Sequence, residues 1–373
     1  MLSSGPAQAL DGAHWEKADA TIKRGIDYLR QAQGDDGSWS PQPGPAITGM
    51  VLAVMLDRPE ISAKDDAARK AVSYILGKRK ADGGIHDGFL QNYNTAICLS
   101  AVSRVRDDSR AAEAVAEARH FLRDVQWAGQ IDPNGRKVDK SHAFYGGAGY
   151  GKHGRPDLSN TQVMLQGLYD SGLSSDDPAF ERALVFISRC QGASLNDMHA
   201  DKIVKDGGFI YATSVDKEHI GVPQSMAGSD AADEIAREGA VSSLRTYGSM
   251  TYAGFKSYAY AALDRQDIRV VDAYNWIRSH YSVDHNPGMP EDRGMQGFYY
   301  YLMTMSRALD AWGATYVESP DGVKHDWAND IIDKLVGLQG RDGSWLNPSS
   351  RWMEKDPNLV TAYALTALMH AIR

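Results

Sequence analysis

Apolar positions along the chain fall into two alternating kinds of segment. In the first kind they recur every third or fourth residue among charges: in "EKADATIKRGIDYLRQAQ", Ile22, Ile26 and Leu29 share a stripe with Lys23, Arg24, Asp27 and Arg30 off it. That spacing predicts a helix with one face in solvent. In the second kind nearly every side is apolar or small, as in "TAICLSAV" and "TAYALTALMHAI", which predicts a helix buried all round. The two kinds alternate six times across Gly-rich or Pro-rich connections, so six helical hairpins and twelve helices are expected.

The first unit pairs "EKADATIKRGIDYLRQAQ" with "AITGMVLAVML", and the second "DDAARKAVSYILGKRK" with "NYNTAICLSAVSRV". The third runs from "SRAAEAVAEARHFLRDVQW" through "YGGAGYGKHGRPD" to "LSNTQVMLQGLYDSGL". The fourth joins "DPAFERALVFISRCQ" to "TYGSMTYAGFKSYAYAAL" across a long insert, 192–245, which reads as polar and partly helical. "IRVVDAYNWIRSHYS" with "MQGFYYYLMTMSRALDAWG" makes the fifth, and "DWANDIIDKLVGLQ" with "LVTAYALTALMHAI" the sixth.

Charged helices belong outside and uncharged ones inside. Six of each, alternating, close most simply into a double ring, an all-α fold of the α/α toroid type with inner helices around a central cavity. Residues 1–15 then form an N-terminal extension and 16–373 a single toroid domain of one ring. An open solenoid is the alternative, but its ends would be atypical capping units. Here the ends match best: "RGIDYLRQAQGDDGSW" in the first unit returns as "LVGLQGRDGSW" in the sixth.

Arg24, Gly25, Tyr28, Leu29, Gln33, Gly37 and Trp39 follow the repeat often called the QW motif of terpene cyclases, and Gln339, Gly343 and Trp345 return in the sixth unit. On these residues the chain resembles the squalene-hopene cyclase and protein-prenyltransferase beta-subunit superfamily over about residues 16–373. The resemblance implies a six-fold α/α toroid with a cavity for an isoprenoid or other lipid-like molecule. It implies less about activity, because one scaffold carries unrelated chemistries. The Gln amide and Trp indole have a structural reading of their own, tying an outer helix to its neighbour's backbone.

A formal charge of -8 offers no basic footprint for nucleic acid, so a neutral or apolar small molecule fits better as partner. Cys98 and Cys190, the only cysteines, read as small buried hydrophobes. No apolar run approaches the roughly 18–20 residues of a membrane span, and "MLSSGPAQALDGAHW" lacks the regions of a signal peptide. A compartment does not follow from this.

The acid motif Asp-x-Asp-Asp, with which the family protonates an isoprenoid, is absent. The acidic pairs present, such as Asp65-Asp66 and Asp107-Asp108, sit at turns or outer-helix starts, where capping explains them. Neither cysteine joins a zinc set of the prenyltransferase kind. "GGAGYGKH" lacks the Ser or Thr of a phosphate loop and "DPNGRKVD" the glycine register of a calcium loop. No metal, nucleotide or covalent cofactor is expected.

In a toroid the starts of the inner helices gather at one mouth, which makes polar and aromatic residues there the site candidates. Asp157, Asp292 and Tyr247 are the candidate catalytic groups. Asn94, Tyr150, Arg155, Asn160, Arg245, Met250, Tyr258, Gln296 and Tyr299 are the candidate substrate contacts. Asn92, Ser159 and Asn358 fit N-caps as well. Eighteen tyrosines against eight phenylalanines suit rings that line a cavity, or that pack between the two layers. The leading expectation is a cyclase or isomerase without the usual acid motif. The alternatives are a carbohydrate-active lyase or hydrolase with Asp157 and Asp292 as its carboxylate pair, and a non-catalytic binding module using the insert as contact surface.

Overall fold

Each of the twelve helices predicted for the repeats forms. The computed structural model describes residues 11–152, 154–198, 203–213 and 245–373. Residues 1–10 and most of the insert, 199–202 and 214–244, lie outside the described residues, and with them the expectation that the insert is partly helical. The outer helices are α1 (Gly12–Ala32), α3 (Asp66–Leu76), α5 (Ser109–Val125), α7 (Pro178–Arg189), α9 (Ile268–Ser279) and α11 (Trp327–Leu338). Between them run the inner helices α2 (Ala46–Leu56), α4 (Gln91–Val102), α6 (Leu158–Asp170), α8 (Gly248–Tyr260), α10 (Phe298–Ala311) and α12 (Pro357–Ala371). One feature has no counterpart in the pattern: a hairpin of β1 (Val317–Glu318) and β2 (Lys324–His325). Two residues per strand are too few to show alternation.

Aspartates start the outer helices as the acidic pairs suggested. The Asp65 carboxylate accepts from Ala67 N and Ala68 N in α3, and Asp108 from Arg110 N in α5. Asp267 and Asp326 do the same for α9 and α11. Burial follows the pattern too. Outer α3 buries one stripe, Ala67, Ala68, Ala71, Val72 and Ile75, whereas inner α8 is buried along nearly its whole length, Lys256 included.

Contacts gather the helices into two compact units: Ile26–Phe186, and the described residues up to Gly25 together with those from Ile187 onward. Within the first, α2 packs on α4 and α4 on α6, with α3 and α5 against them; within the second, α8 packs on α10 and α10 on α12, with α9 and α11 outside.

One junction recurs inside both units. Gln33 donates to Gly37 O at 3.0 Å and to Ala67 O of the next outer helix at 2.9 Å. Trp39 sends its indole N–H to Leu29 O at 2.7 Å and its backbone N–H to the Thr48 hydroxyl at 3.0 Å. Gln126 repeats the bridge to Gly146 O and Ala179 O, and Gln191 to Gly207 O and Arg269 O. In the sixth repeat Gln339 reaches Gly343 O and Thr21 O of α1, so the outer helices of the last and first repeats are neighbours. Trp345 copies Trp39, bonding Leu335 O at 2.8 Å and the Thr361 hydroxyl at 3.1 Å. Gly37 and Gly343 hold φ of 87° and 90° in these turns, and a Cβ on either would lie 2.6 Å from Lys70 O or 2.4 Å from Arg24 O. Glycine therefore sets how close the outer helices approach. In the second repeat Arg79 replaces the Gln and pairs with Glu117 at 2.8 Å.

Candidate functional site

The starts of the inner helices need partners for their first backbone N–H groups, and the polar residues there supply them. Asp157 and Asp356 cap α6 and α12 locally. Ser159 and Asn358 are therefore not the caps; the caps lie two residues earlier, where the backbone is still extended. Other starts are capped from the following repeat. Asn94 on α4 accepts from Ala46 N of α2 at 2.9 Å and donates to Pro43 O and Phe89 O, both at 3.1 Å. Asn286 accepts from Ser249 N of α8 at 3.1 Å and donates to the Ser249 hydroxyl at 2.8 Å.

The first cluster brings together Asp157, Asn160 and Tyr150 with Asn92, which the sequence also placed at the start of an inner helix. Asp157 is buried; its carboxylate accepts from Asn160 N at 2.7 Å and Asn160 Nδ2 at 2.8 Å. Asn92 Nδ2 donates to Gly149 O at 3.0 Å and to Asn160 O at 3.2 Å, and Asn92 N donates to Tyr150 O at 3.0 Å. Arg155 is half-buried in the same connection.

The other candidates are in the second unit. Tyr247 occupies the extended position before α8, half-buried, Met250 is buried in the first turn, and Arg245 is half-buried just before them. Tyr258 turns toward the outer layer: its hydroxyl donates to Gln191 Oε1 at 2.8 Å, and its ring packs on Phe209 with the Arg269 guanidinium 5.8 Å away. Burial pushes its phenol well up. Tyr252 and Tyr301 likewise meet edge to face at 5.8 Å. Gln296 accepts at its carbonyl from Asn286 Nδ2. Asp292 sits on a short 3-10 helix, Glu291–Arg293, with its side chain 79% exposed. Asp157 and Asp292 thus belong to different units and differ in environment, one buried and one in solvent.

Sequence reading missed Glu354. It lies in "RWMEKDP", a stretch so polar that a solvated loop is the natural expectation, yet it is fully buried. Its carboxylate takes the N–H groups of Tyr300 at 2.8 Å and Tyr299 at 3.3 Å at the start of α10, and the Asn347 amide. Where α2 and α8 are capped across repeats by an amide, α10 is capped by an ionisable group. Burial pushes its pKa up to about 7 against the pull of these donors, so the acid is half protonated near neutral pH. Tyr299, beside it, has its phenol raised by burial and by that carboxylate. Trp352 and Met353, immediately before it, are both left-handed, at φ 53° and 66°. Strain of this kind is retained where surrounding contacts over-determine it.

At the opposite ends of the inner helices, His370 Nδ1 meets Asp310 Oδ2 at 2.5 Å, and a groove of about 610 Å³ opens beside Leu263, Arg265 and Trp312. Among the described residues no group of His, Cys, Asp and Glu is arranged to hold a metal ion, and no helix is long and apolar enough to cross a membrane.

No protein-family model and no curated protein sequence matches the chain. Solved structures do. The type II terpene cyclase MstE from Scytonema, in complex with geranylgeranyl dihydroxybenzoate, aligns over 97% of this chain and 99% of its own at 13% identity and a TM-score of 0.55. The family 76 α-1,6-mannanase of Salegentibacter, in complex with α-1,6-mannotriose, aligns over 96% and 98% at 10% identity and 0.54. A family 76 glycoside hydrolase from a bovine Bacteroides thetaiotaomicron strain gives 96% and 78% at 11% and 0.53. At such identities the likeness is one of fold: the chain is an all-α protein of the α/α toroid class, as its repeats and its resemblance to the terpene cyclases implied.

Proposed function

We propose that the protein is terpene-cyclase-like, with a central apolar cavity within a single toroid domain over 16–373 that takes an isoprenoid or other lipid-like substrate for cyclisation or isomerisation. The observation that carries this is the match, along nearly the whole chain, to a cyclase holding a geranylgeranyl substrate. Opening an isoprenoid double bond by protonation needs a carboxylic acid that is neutral at working pH. Glu354, buried and with its pKa pushed up to about 7, is our candidate for that acid in the absence of the Asp-x-Asp-Asp motif. Asp292 and Tyr247 in the one unit, and Asp157 in the other, stay proposed functional groups. Extraction of the purified protein followed by mass spectrometry should find an isoprenoid or lipid, and geranylgeranyl substrates should be turned over. Glu354→Gln should lower turnover at least a hundredfold while lipid retention persists. No bound lipid and no turnover would sink the reading.

A carbohydrate-active reading is favoured by one observation, the near-equal likeness to the α-1,6-mannanase. Release of reducing ends from α-1,6-mannotriose would establish it, and silence across neutral and acidic glycans would remove it. Most of the insert that the contact-surface reading invokes, 199–202 and 214–244, lies outside the described residues.

A further inference from the structure

Two buried amide oxygens at the starts of α4 and α6, Asn92 Oδ1 and Asn160 Oδ1, have no hydrogen-bond partner. Both side chains are wholly buried, and neither amide can be turned round to mend this. Asn92 Nδ2 is committed to two carbonyl oxygens, Gly149 O and Asn160 O, which only accept. Asn160 Nδ2 is committed to the Asp157 carboxylate. An unmet buried acceptor forfeits its hydration with nothing in return, so such atoms mark a place where a donor belongs.

One short segment bonds to Asn92 directly. Residues 149–152, "GYGK", run across the start of α4 and lend Gly149 O and Tyr150 O to the two donors of Asn92. At its far end the strap is fastened by the exposed Lys152: Nζ to Asp82 at 3.0 Å and 5.1 Å over the buried Phe121 ring, and N to Oε1 of the half-buried Gln91 at 3.3 Å. A surface ion pair of this type holds weakly. Once the strap lifts, Asn92 N and one of the two Nδ2 hydrogens become free donors, the other staying on Asn160 O, in the same pair of residues that carries the free acceptors. Donors and acceptors side by side match a hydroxyl, which both gives and takes a hydrogen bond.

We propose that residues 149–152 form a strap over a hydroxyl-recognition subsite built by Asn92 and Asn160, which receives the hydroxyl-bearing end of the substrate. Asp157 is its positioning residue, holding the Asn160 amide in place. This rests on the reading that the protein takes a small-molecule substrate, but not on that substrate being an isoprenoid. The shared chemistry is a hydroxyl that both donates and accepts, carried by a dihydroxyaryl group or by a saccharide.

Titration of the full-length protein with catechol and with methyl mannoside distinguishes the two sources, and the dimethyl ether of catechol, which accepts but cannot donate, serves as control. One hydroxyl probe should bind, the ether at least tenfold more weakly. Asn160→Leu should weaken the binding probe tenfold or more, and Lys152→Ala, a surface change that leaves the subsite intact, should tighten it two- to tenfold and speed amide exchange at Asn92. Binding of catechol alone assigns a dihydroxyaryl end, and of the mannoside alone a saccharide. The proposal is overturned if neither probe binds, if the ether binds as well as catechol, or if Lys152→Ala leaves exchange at Asn92 unchanged. Unaltered affinity in Asn160→Leu would overturn it too, the oxygens then holding a structural water only. A protein that binds the mannoside but holds no lipid and turns over no geranylgeranyl substrate would refute the isoprenoid reading and leave this one standing.

Discussion

Gln339 donates from the end of α11 to Thr21 O in α1 at 3.0 Å, a bond that spans 318 residues of sequence. The same amide takes Gly343 O at 2.9 Å, so two backbone carbonyls lose a donor if it is removed. Gln339→Ala should lower stability by about 1–3 kcal/mol, and Gln33→Ala by a similar amount at the corresponding junction. Urea midpoints measure both; a loss under about 0.5 kcal/mol in each would show that the bridge is incidental.

Gly343 and Gly322 separate conformational strain from collision. Their φ angles are nearly the same, 90° and 87°, but a Cβ on Gly343 meets Arg24 O at 2.4 Å and one on Gly322 meets nothing within 4 Å. Gly322→Ala should cost about 1 kcal/mol from backbone strain alone. Gly343→Ala should cost roughly 3 kcal/mol or more, since an outer helix must move. Equal thermal shifts for the two would contradict the close approach of α1 to this turn.

Glu354 sets a pH dependence of known sign. Its folded pKa, about 7, lies above the ordinary 4.5, so between these values the folded chain holds more protons than the unfolded one. Its contribution is full below pH 4.5 and is lost as pH rises through 7, by at most about 3 kcal/mol. Glu354→Gln should therefore be relatively more stable than the parent at pH 8 than at pH 5. Parallel melting curves across that range would show that the acid is solvated.

His370 works in the opposite sense. Burial pushes it down to about 4 from an ordinary 6.5 against the pull of its hydrogen bond to Asp310, with Arg307 and Arg373 adding repulsion. The unfolded chain then binds the extra proton between pH 6.5 and 4, so this contribution falls as pH drops through that window. His370→Gln should flatten the acid limb of the stability profile measured by denaturant titration; an unchanged limb would place the acid sensitivity elsewhere.

Helices were legible because their cause is local. The stripe of Ile22, Ile26 and Leu29 and the unbroken apolar faces of α12 state which side meets solvent, and Asp65 or Asp108 before a run marks where it begins. Repetition added the fold class, since the first and last repeats match and Gln339 joins them. The site was legible only in part. Asp157, Asn160 and Tyr150 were named and do come together, but the sequence did not show that Asn94 caps α2 across repeats or that Tyr258 turns outward to Gln191. Glu354 was not legible at all, because a glutamate in a polar loop is ordinarily solvated.

Periodicity and spacing alone determined the twelve helices, their sorting into two layers and the bridging role of Gln33 and Gln339. Tertiary structure alone decided which carboxyl is buried and which amide oxygens lack a donor. Amphipathicity is written into neighbouring positions, whereas desolvation and hydrogen-bond satisfaction depend on groups from distant repeats, as Glu354 depends on Tyr299 and Tyr300.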